Sequence, residues 1–201
     1  HRTLALLPKK GRLRVFWVPG NHGRMGRKKE ALPVTSNFDW MIGEYIKCWL
    51  RKEPRVEFSN ATAPYMIVQR PGADFMVLHG DAIRSWNSIP WYGAERHVRR
   101  MRDMLGMQPR YTLLGHVHTP ASWDKANGKI IFNGTIVGPS AYSVNQLAIG
   151  TQPSQTIFFI HPDGWTFEQT RDAFTPLLQQ PRAQKLIRIV VASGWEPARY
   201  E

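Results

Sequence analysis

Three short apolar runs, far apart in the chain, each stop at residues able to hold a metal ion or a phosphate. Leu13 to Val18 stops at Pro19-Gly20-Asn21-His22, Phe75 to Leu78 at His79-Gly80-Asp81, and Tyr111 to Leu114 at Gly115-His116-Val117-His118. Runs of this length bounded by turn residues read as strands with a buried face. A strand that ends this way places its terminal residues on a loop at its C-terminal edge, where open α/β sheets build their sites. Three such endings can converge on one point. The donors, one amide oxygen and several imidazoles, suit Zn, Mn, Fe or Ni rather than Mg or Ca alone.

The three runs resemble the last three blocks of the calcineurin-like metallophosphoesterase family: Gly-Asn-His followed by an acid, then a lone His, then Gly-His-x-His. They stand in the family's order, across roughly residues 10 to 135. Gly23 replaces the acid that usually follows Gly-Asn-His, and the family's first two blocks, Asp-x-His and Gly-Asp-x-x-Asp, are absent. The resemblance implies an α/β fold, a four-layer α/β/β/α sandwich with metals at one edge, here without its N-terminal strands. It implies that Asn21, His79 and His116 bind one metal and His118 a second, the pair being Mn, Fe, Zn or Ni with Mn favoured. By the same match His22 is the catalytic acid, protonating the leaving oxygen as an imidazole can near neutral pH. Arg24 is a candidate phosphate clamp, or else a solvated loop arginine. The texture of Gly20 to Arg24, His79 to Asp81 and Asn133-Gly134, with Tyr142-Ser143 and Pro153-Ser154-Gln155, is similar to phage- and prophage-type members described as DNA-repair-exonuclease-like. The activity expected on this ground is hydrolysis of phosphodiester or phosphomonoester bonds, chiefly in nucleic acid, by in-line attack of a metal-bound water held between two ions.

The absent carboxylates open a second reading. A first metal left with His118 alone is held weakly, so the chain would be a non-catalytic or partner-completed nucleic-acid-binding module of the same fold. The missing strands and acids would come from a second polypeptide, or the chain would form a homodimer through an uncovered apolar edge at Leu13 to Val18. A third option keeps the enzyme and changes the substrate to a small phosphodiester or a phosphoprotein.

Charge bears on the partner. Twenty-seven Lys and Arg against fifteen Asp and Glu give the 201-residue chain a net charge of +12, which favours polyanions through field and counterion release. The alternatives are a solubility surface or the loss of an acidic segment encoded elsewhere. No stretch of 18 apolar residues suggests a membrane span, and one cysteine, Cys48, permits no internal disulfide. These features lead to the expectation of a cytoplasmic protein, of the host if phage-encoded.

A coarse map follows from periodicity. Ser36 to Asp39 reads as a capping box opening a helix. Phe38, Met41, Ile42, Tyr45, Ile46, Trp49 and Leu50 then fall at the spacing of an amphipathic helix with an apolar face for the core. Short strands are expected over residues 55–58, 64–69, 75–79, 111–114, 121–125 and 129–133, the last two joined at Asn127-Gly128 as a hairpin. A second hairpin is expected from residues 155–160 and 165–170 around Pro162-Asp163-Gly164. Residues 93 to 105 read as a helix carrying Arg96, Arg99, Arg100 and Arg102, with His97 as a solvated surface residue. Asp81 reads as a hydrogen-bond partner of a ligand imidazole or as a turn cap. The tryptophans read as core, except Trp86 and Trp91, which read as loop residues able to stack on a base. His1 and His161 carry no functional signal. The expected organisation is one domain over residues 1–170 with a basic extension over 171–201.

Overall fold

In a computed structural model of the protein, the described residues are 12–26, 32–85, 90–126, 128–135, 145, 154–160, 166–169 and 187–191. They fall in two compact units, His1–Met66 and Ile67–Glu201.

The first unit is built on two parallel strands, β1 (Leu13–Trp17) and β2 (Val56–Asn60), joined through helix α1 (Phe38–Leu50). Leu13 pairs with Val56 and Trp17 with Asn60. β1 is only partly covered, and Leu13 is exposed. The helix starts where the side chain of Asn37 accepts the Asp39 N–H at 2.8 Å. Asn37 is therefore the N-cap, one residue later than the predicted capping box.

A second departure concerns which face of α1 is covered. Five of the seven residues of the predicted apolar stripe point outward: Tyr45 is 83% exposed and Phe38, Met41, Ile42 and Trp49 are 48% to 59% exposed, while Ile46 and Leu50 are partly covered. Gly43 is buried instead, against Trp17 and Asn60. The Asn60 amide donates to the Trp40 carbonyl at 2.9 Å and to Glu44 at 3.1 Å, and the Trp40 indole donates to the Ala61 carbonyl at 2.9 Å. Hydrogen bonds and the missing Cβ of Gly43 bring this side of the helix onto β2. Trp49, expected in the core, is on the outer side.

A five-stranded sheet, which belongs to the second unit from Ile67 on, has the order β3-β4-β5-β7-β6: β3 (Tyr65–Arg70), β4 (Ala73–Leu78), β5 (Tyr111–Leu114), β6 (Ala121–Lys125) and β7 (Gly128–Phe132). The central strands β4, β5 and β7 are parallel, and β6 returns antiparallel to β7 as the predicted hairpin; Asn127 at its tip is outside the described residues. Helix α2 (Pro90–Leu105) is the crossover between parallel β4 and β5. A parallel sheet needs near-continuous apolar strands. Accordingly Phe75, Met76, Leu78, Tyr111, Leu113, Leu114, Ile130, Ile131 and Phe132 form the core. Trp91 belongs to this packing rather than to a loop: its ring meets Trp123 at 5.5 Å and Phe132 at 5.3 Å. Trp86 is outside the described residues.

A three-stranded antiparallel sheet, β10-β8-β9, completes the unit: β8 (Thr156–Ile160), β9 (Thr166–Gln169) and β10 (Ile187–Val191). The second predicted hairpin corresponds to β8 and β9; its turn, with His161, lies outside the described residues, as do His1, Tyr142, Ser143, Pro153 and most of 171–201. The result is a mixed sheet with helices, as expected of the fold class. No helix among the described residues is long and apolar enough to cross a membrane.

Candidate functional site

Asn21, His22 and Arg24 belong to the first unit, and His79, His116 and His118 to the second. In the first unit, Asn21, His22 and Arg24 occupy the loop leaving β1, and His22 is exposed. The loop is tied to the start of α1. The Gly20 N–H donates to Asp39 Oδ2 at 3.0 Å, the Asn37 amide donates to the Gly20 carbonyl at 2.8 Å, and the Phe38 N–H donates to the Gly23 carbonyl at 2.7 Å. Arg24 and Asn37 form an isolated antiparallel bridge. A Cβ on Gly23 would fall 2.2 Å from Asn37 Oδ1 and 2.6 Å from the Asp39 nitrogen. An acidic side chain at position 23 would thus collide with the helix cap. The neighbouring carboxylate, Asp39, is engaged with loop backbone.

In the second unit the strand ends do gather at one edge. His79 and Gly80 follow β4, Gly115 to His118 follow β5, and Asn133 to Thr135 follow β7, all at the C-terminal ends of parallel neighbours. The Gly115 N–H donates to the His79 carbonyl at 3.0 Å, and the Thr135 N–H to the His118 carbonyl at 3.3 Å. The His79 and His116 rings meet edge to face, 5.1 Å apart at their centroids. His116 and His118 both adopt left-handed backbone, φ 66° and 61°, which costs roughly 1–3 kcal/mol each in a non-glycine residue. Asn133 is fully buried: its amide donates to Gln155 at 2.9 Å and its carbonyl oxygen accepts the Thr156 N–H at 2.8 Å. It fastens β7 to the start of β8, a structural role that the Asn-Gly pair alone did not reveal.

Among the described residues, no group of three or more His, Cys, Asp and Glu is placed to hold a metal ion. This overturns the expected two-metal centre with Mn, Fe, Zn or Ni, and with it the metallophosphoesterase, phosphodiesterase and nuclease activity expected from the motif match. The physical reason is a shortage of donors. A divalent ion in a protein needs three or four ligands at about 2.0–2.3 Å. Position 23 has no room for a carboxylate beside the helix cap.

A cationic face lies elsewhere in the second unit. Tyr92, Glu95, Arg96, Arg99, Arg100, Asp103 and Met104 form the exposed side of α2, while Ala94 and Val98 are buried. Glu95 is paired with Lys125. Arg102 does not belong to this face: it is half-buried and its Nη2 donates to the Pro109 carbonyl at 2.6 Å. Burial pushes its guanidinium pKa down. His97 is likewise partly buried rather than solvated. Burial first, and the charge of Arg100 second, hold its pKa below the usual 6.5. The helical spacing alone did not show that one of the four arginines is used up inside.

No family model matches the chain, and no curated protein matches it. Among solved structures it is similar to Vacuolar Protein Sorting 29 from Cryptosporidium parvum, with TM-score 0.39 and 16% identity over 80% of this chain and 97% of that one. It is similar to wild-type Vps29 of Entamoeba histolytica complexed with zinc, with TM-score 0.41 and 11% identity over 88% and 97%. It is also similar to a conserved protein of Streptococcus pneumoniae described as a predicted phosphoesterase, with TM-score 0.34 and 12% identity over 82% and 99%.

Proposed function

We propose that this chain is a non-catalytic, partner-dependent nucleic-acid-binding module. The observation that carries the reading is the outer face of α2, where Arg96, Arg99 and Arg100 stand exposed on a chain of net charge +12. Guanidinium groups at i, i+3 and i+4 lie on one side of a helix and can each take a phosphate oxygen, bidentately where the geometry allows. Arg24 is a further phosphate contact in this reading. Asn21, His22, His79, His116 and His118 enter it without a metal, as hydrogen-bonding groups at strand ends. The reading includes the four-layer α/β/β/α frame without its N-terminal strands, descent from the phage- and prophage-type branch, a cytoplasmic location, and a basic extension from residue 171. Partner dependence is supported by the exposed apolar side of α1.

Fluorescence anisotropy with labelled duplex and single-stranded DNA, across a salt series, tests it. The expected result is binding with little sequence preference and a log–log salt slope of about −0.9 per phosphate neutralised on duplex. A flat salt dependence, or turnover of a phosphodiester by the pure chain, would defeat it.

A further inference from the structure

A polar hollow of about 490 Å³ opens at the end of the five-stranded sheet opposite the histidines. Its charged lining is Arg110, Lys125, Lys129 and Asp124, gathered where β5 and β7 begin and β6 ends. Gly128 makes this gathering possible. Its φ is 136°, and a Cβ there would collide with the Arg110 carbonyl oxygen, to which the Lys129 N–H donates at 2.8 Å. Arg110 and Lys129 thus approach through a backbone contact that a side chain at position 128 would forbid.

We infer that this hollow seats a backbone phosphate of the nucleic-acid strand held by α2. The inference rests on the binding function proposed above and adds a second contact region to it. Charge is the first argument. Lys125 is paired with Glu95, and Lys129 with Asp124 at 3.6 Å, so each lysine is balanced. Arg110 is exposed, its guanidinium 5.8 Å from the centre of the Tyr111 ring, and it has no carboxylate partner among the described residues. Its charge is the one that the lining leaves unbalanced. The Lys129–Asp124 pair is also loose. The Asp124 side chain is 85% exposed and can turn into water, whereas that of Lys129 is only 19% exposed and stays in the hollow. Pairs with one exposed partner hold weakly, so an entering phosphate can take the place of the carboxylate.

Continuity with α2 is the second argument. Lys125 is bonded to Glu95, which stands one turn from Arg99 on the same side of α2. Arg102, also of α2, holds the Pro109 carbonyl next to Arg110. Two contacts therefore fix the hollow beside the arginine face within one unit, where a single strand can meet both.

The lining also decides which part of the strand enters. A base needs an exposed ring to stack on. Tyr111, the aromatic residue of the lining, is 3% exposed and its ring is stacked on Phe75 at 5.3 Å. Guanidinium and ammonium groups take phosphate oxygens instead. Such a contact positions the strand and reads no sequence.

Fluorescence anisotropy of the full chain with a labelled duplex, across a salt series, tests the inference with two variants of opposite sign. Arg110→Gln should weaken binding about fivefold and lower the salt slope by about 0.9, the loss of one phosphate contact. Asp124→Asn removes the carboxylate that the phosphate displaces, and should strengthen binding about threefold, a gain that misfolding cannot imitate. Both side chains are exposed, so circular dichroism should not change. Arg51→Gln, an equal change of charge on an exposed residue of the first unit, should stay within about twofold of the unaltered chain. Equal losses from Arg110→Gln and Arg51→Gln, or unchanged affinity in both hollow variants, would overturn the inference. If DNA binding is lost on replacing Arg96, Arg99 and Arg100 while both hollow variants bind as before, the hollow is excluded and the proposed function stands. If the unaltered chain does not bind DNA, both fall.

Discussion

The two long helices of this chain are a matched pair with opposite outcomes. Each connects parallel or neighbouring strands, each is amphipathic, and each approaches its sheet or loop through a buried glycine, Gly43 in α1 and Gly93 in α2. In α2 the apolar residues Ala94 and Val98 face inward and the arginines face water. In α1 Phe38, Met41, Ile42, Tyr45 and Trp49 face water, and the inward side is held by Gly43, Trp40 and the hydrogen-bonding amide of Asn60. A 3.6-residue pattern shows that a helix has two unlike faces. It does not show which face the rest of the chain covers. When the covered face is polar but hydrogen-bonded, the apolar one is left for something else.

The comparison can be broken at the glycines, where the largest effect is expected. A Cβ on Gly93 would fall 1.9 Å from the Arg84 carbonyl oxygen, which is backbone. Gly93→Ala should cost about 3 kcal/mol, at the upper end for overpacking. At Gly43 the nearest atoms are side-chain atoms of Trp17 and Asn60, at 2.7 to 3.0 Å, which can shift. The roughly 1 kcal/mol helix-propensity gain of Ala over Gly offsets part of that strain, so Gly43→Ala should cost about 1 kcal/mol or less. Urea unfolding of both variants measures the difference; equal losses would mean that the two helices are held alike.

A slightly smaller effect is expected on binding. Replacing Arg96, Arg99 and Arg100 by Ala should lower duplex affinity about 100-fold, near 1 kcal/mol for each contact, and flatten the salt slope by up to about 2.7. Tyr45→Ser on α1 should change neither in a monomeric sample. If the α1 variant proves as damaging as the α2 set, the division of labour between the helices is wrong.

The cap of α1 comes next. Asn37→Ala removes the acceptor for the Asp39 N–H and the donor to the Gly20 carbonyl, at a cost of about 1–2 kcal/mol. Loss of the second bond should also raise amide exchange at Gly20 to Arg24 more than at the end of α1. Uniform exchange along the helix would show that the cap and loop are not coupled.

The smallest effect concerns pH and belongs to α2. The pKa of His97 is depressed when folded, by burial and then by Arg100. Between the folded and unfolded pKa values the unfolded chain binds the proton more readily, so stability is complete above about 6.5 and falls as pH drops below it. His97→Gln should flatten the change in urea midpoint between about pH 7.5 and about pH 5.5. An unchanged pH dependence would place its source in another group.

Much of the fold was legible because its signals are local. The run Tyr111–Leu114 and the strand Ala121–Lys125 keep the bounds that the pattern set. Strand ends at His79 and His116 lie at one edge of a parallel sheet; the third ending in the expected set, at Asn21 and His22, belongs to the other unit. The site was legible only as residue types in order. That order could not count the donors in place. Nor could it show that a side chain at position 23 meets the helix cap, or that Arg102 is spent on the Pro109 carbonyl.

The amino-acid sequence by itself determined the strands of the parallel core, the two amphipathic helices, the basic character and the histidine-bearing strand ends, since each depends on neighbours a few residues apart. Only the tertiary structure decided which side of α1 meets β2, which arginines of α2 reach water, and how few metal donors come together. Those outcomes depend on contacts between residues tens of positions apart, such as those of Gly43 and the Asn60 amide at the inner side of α1.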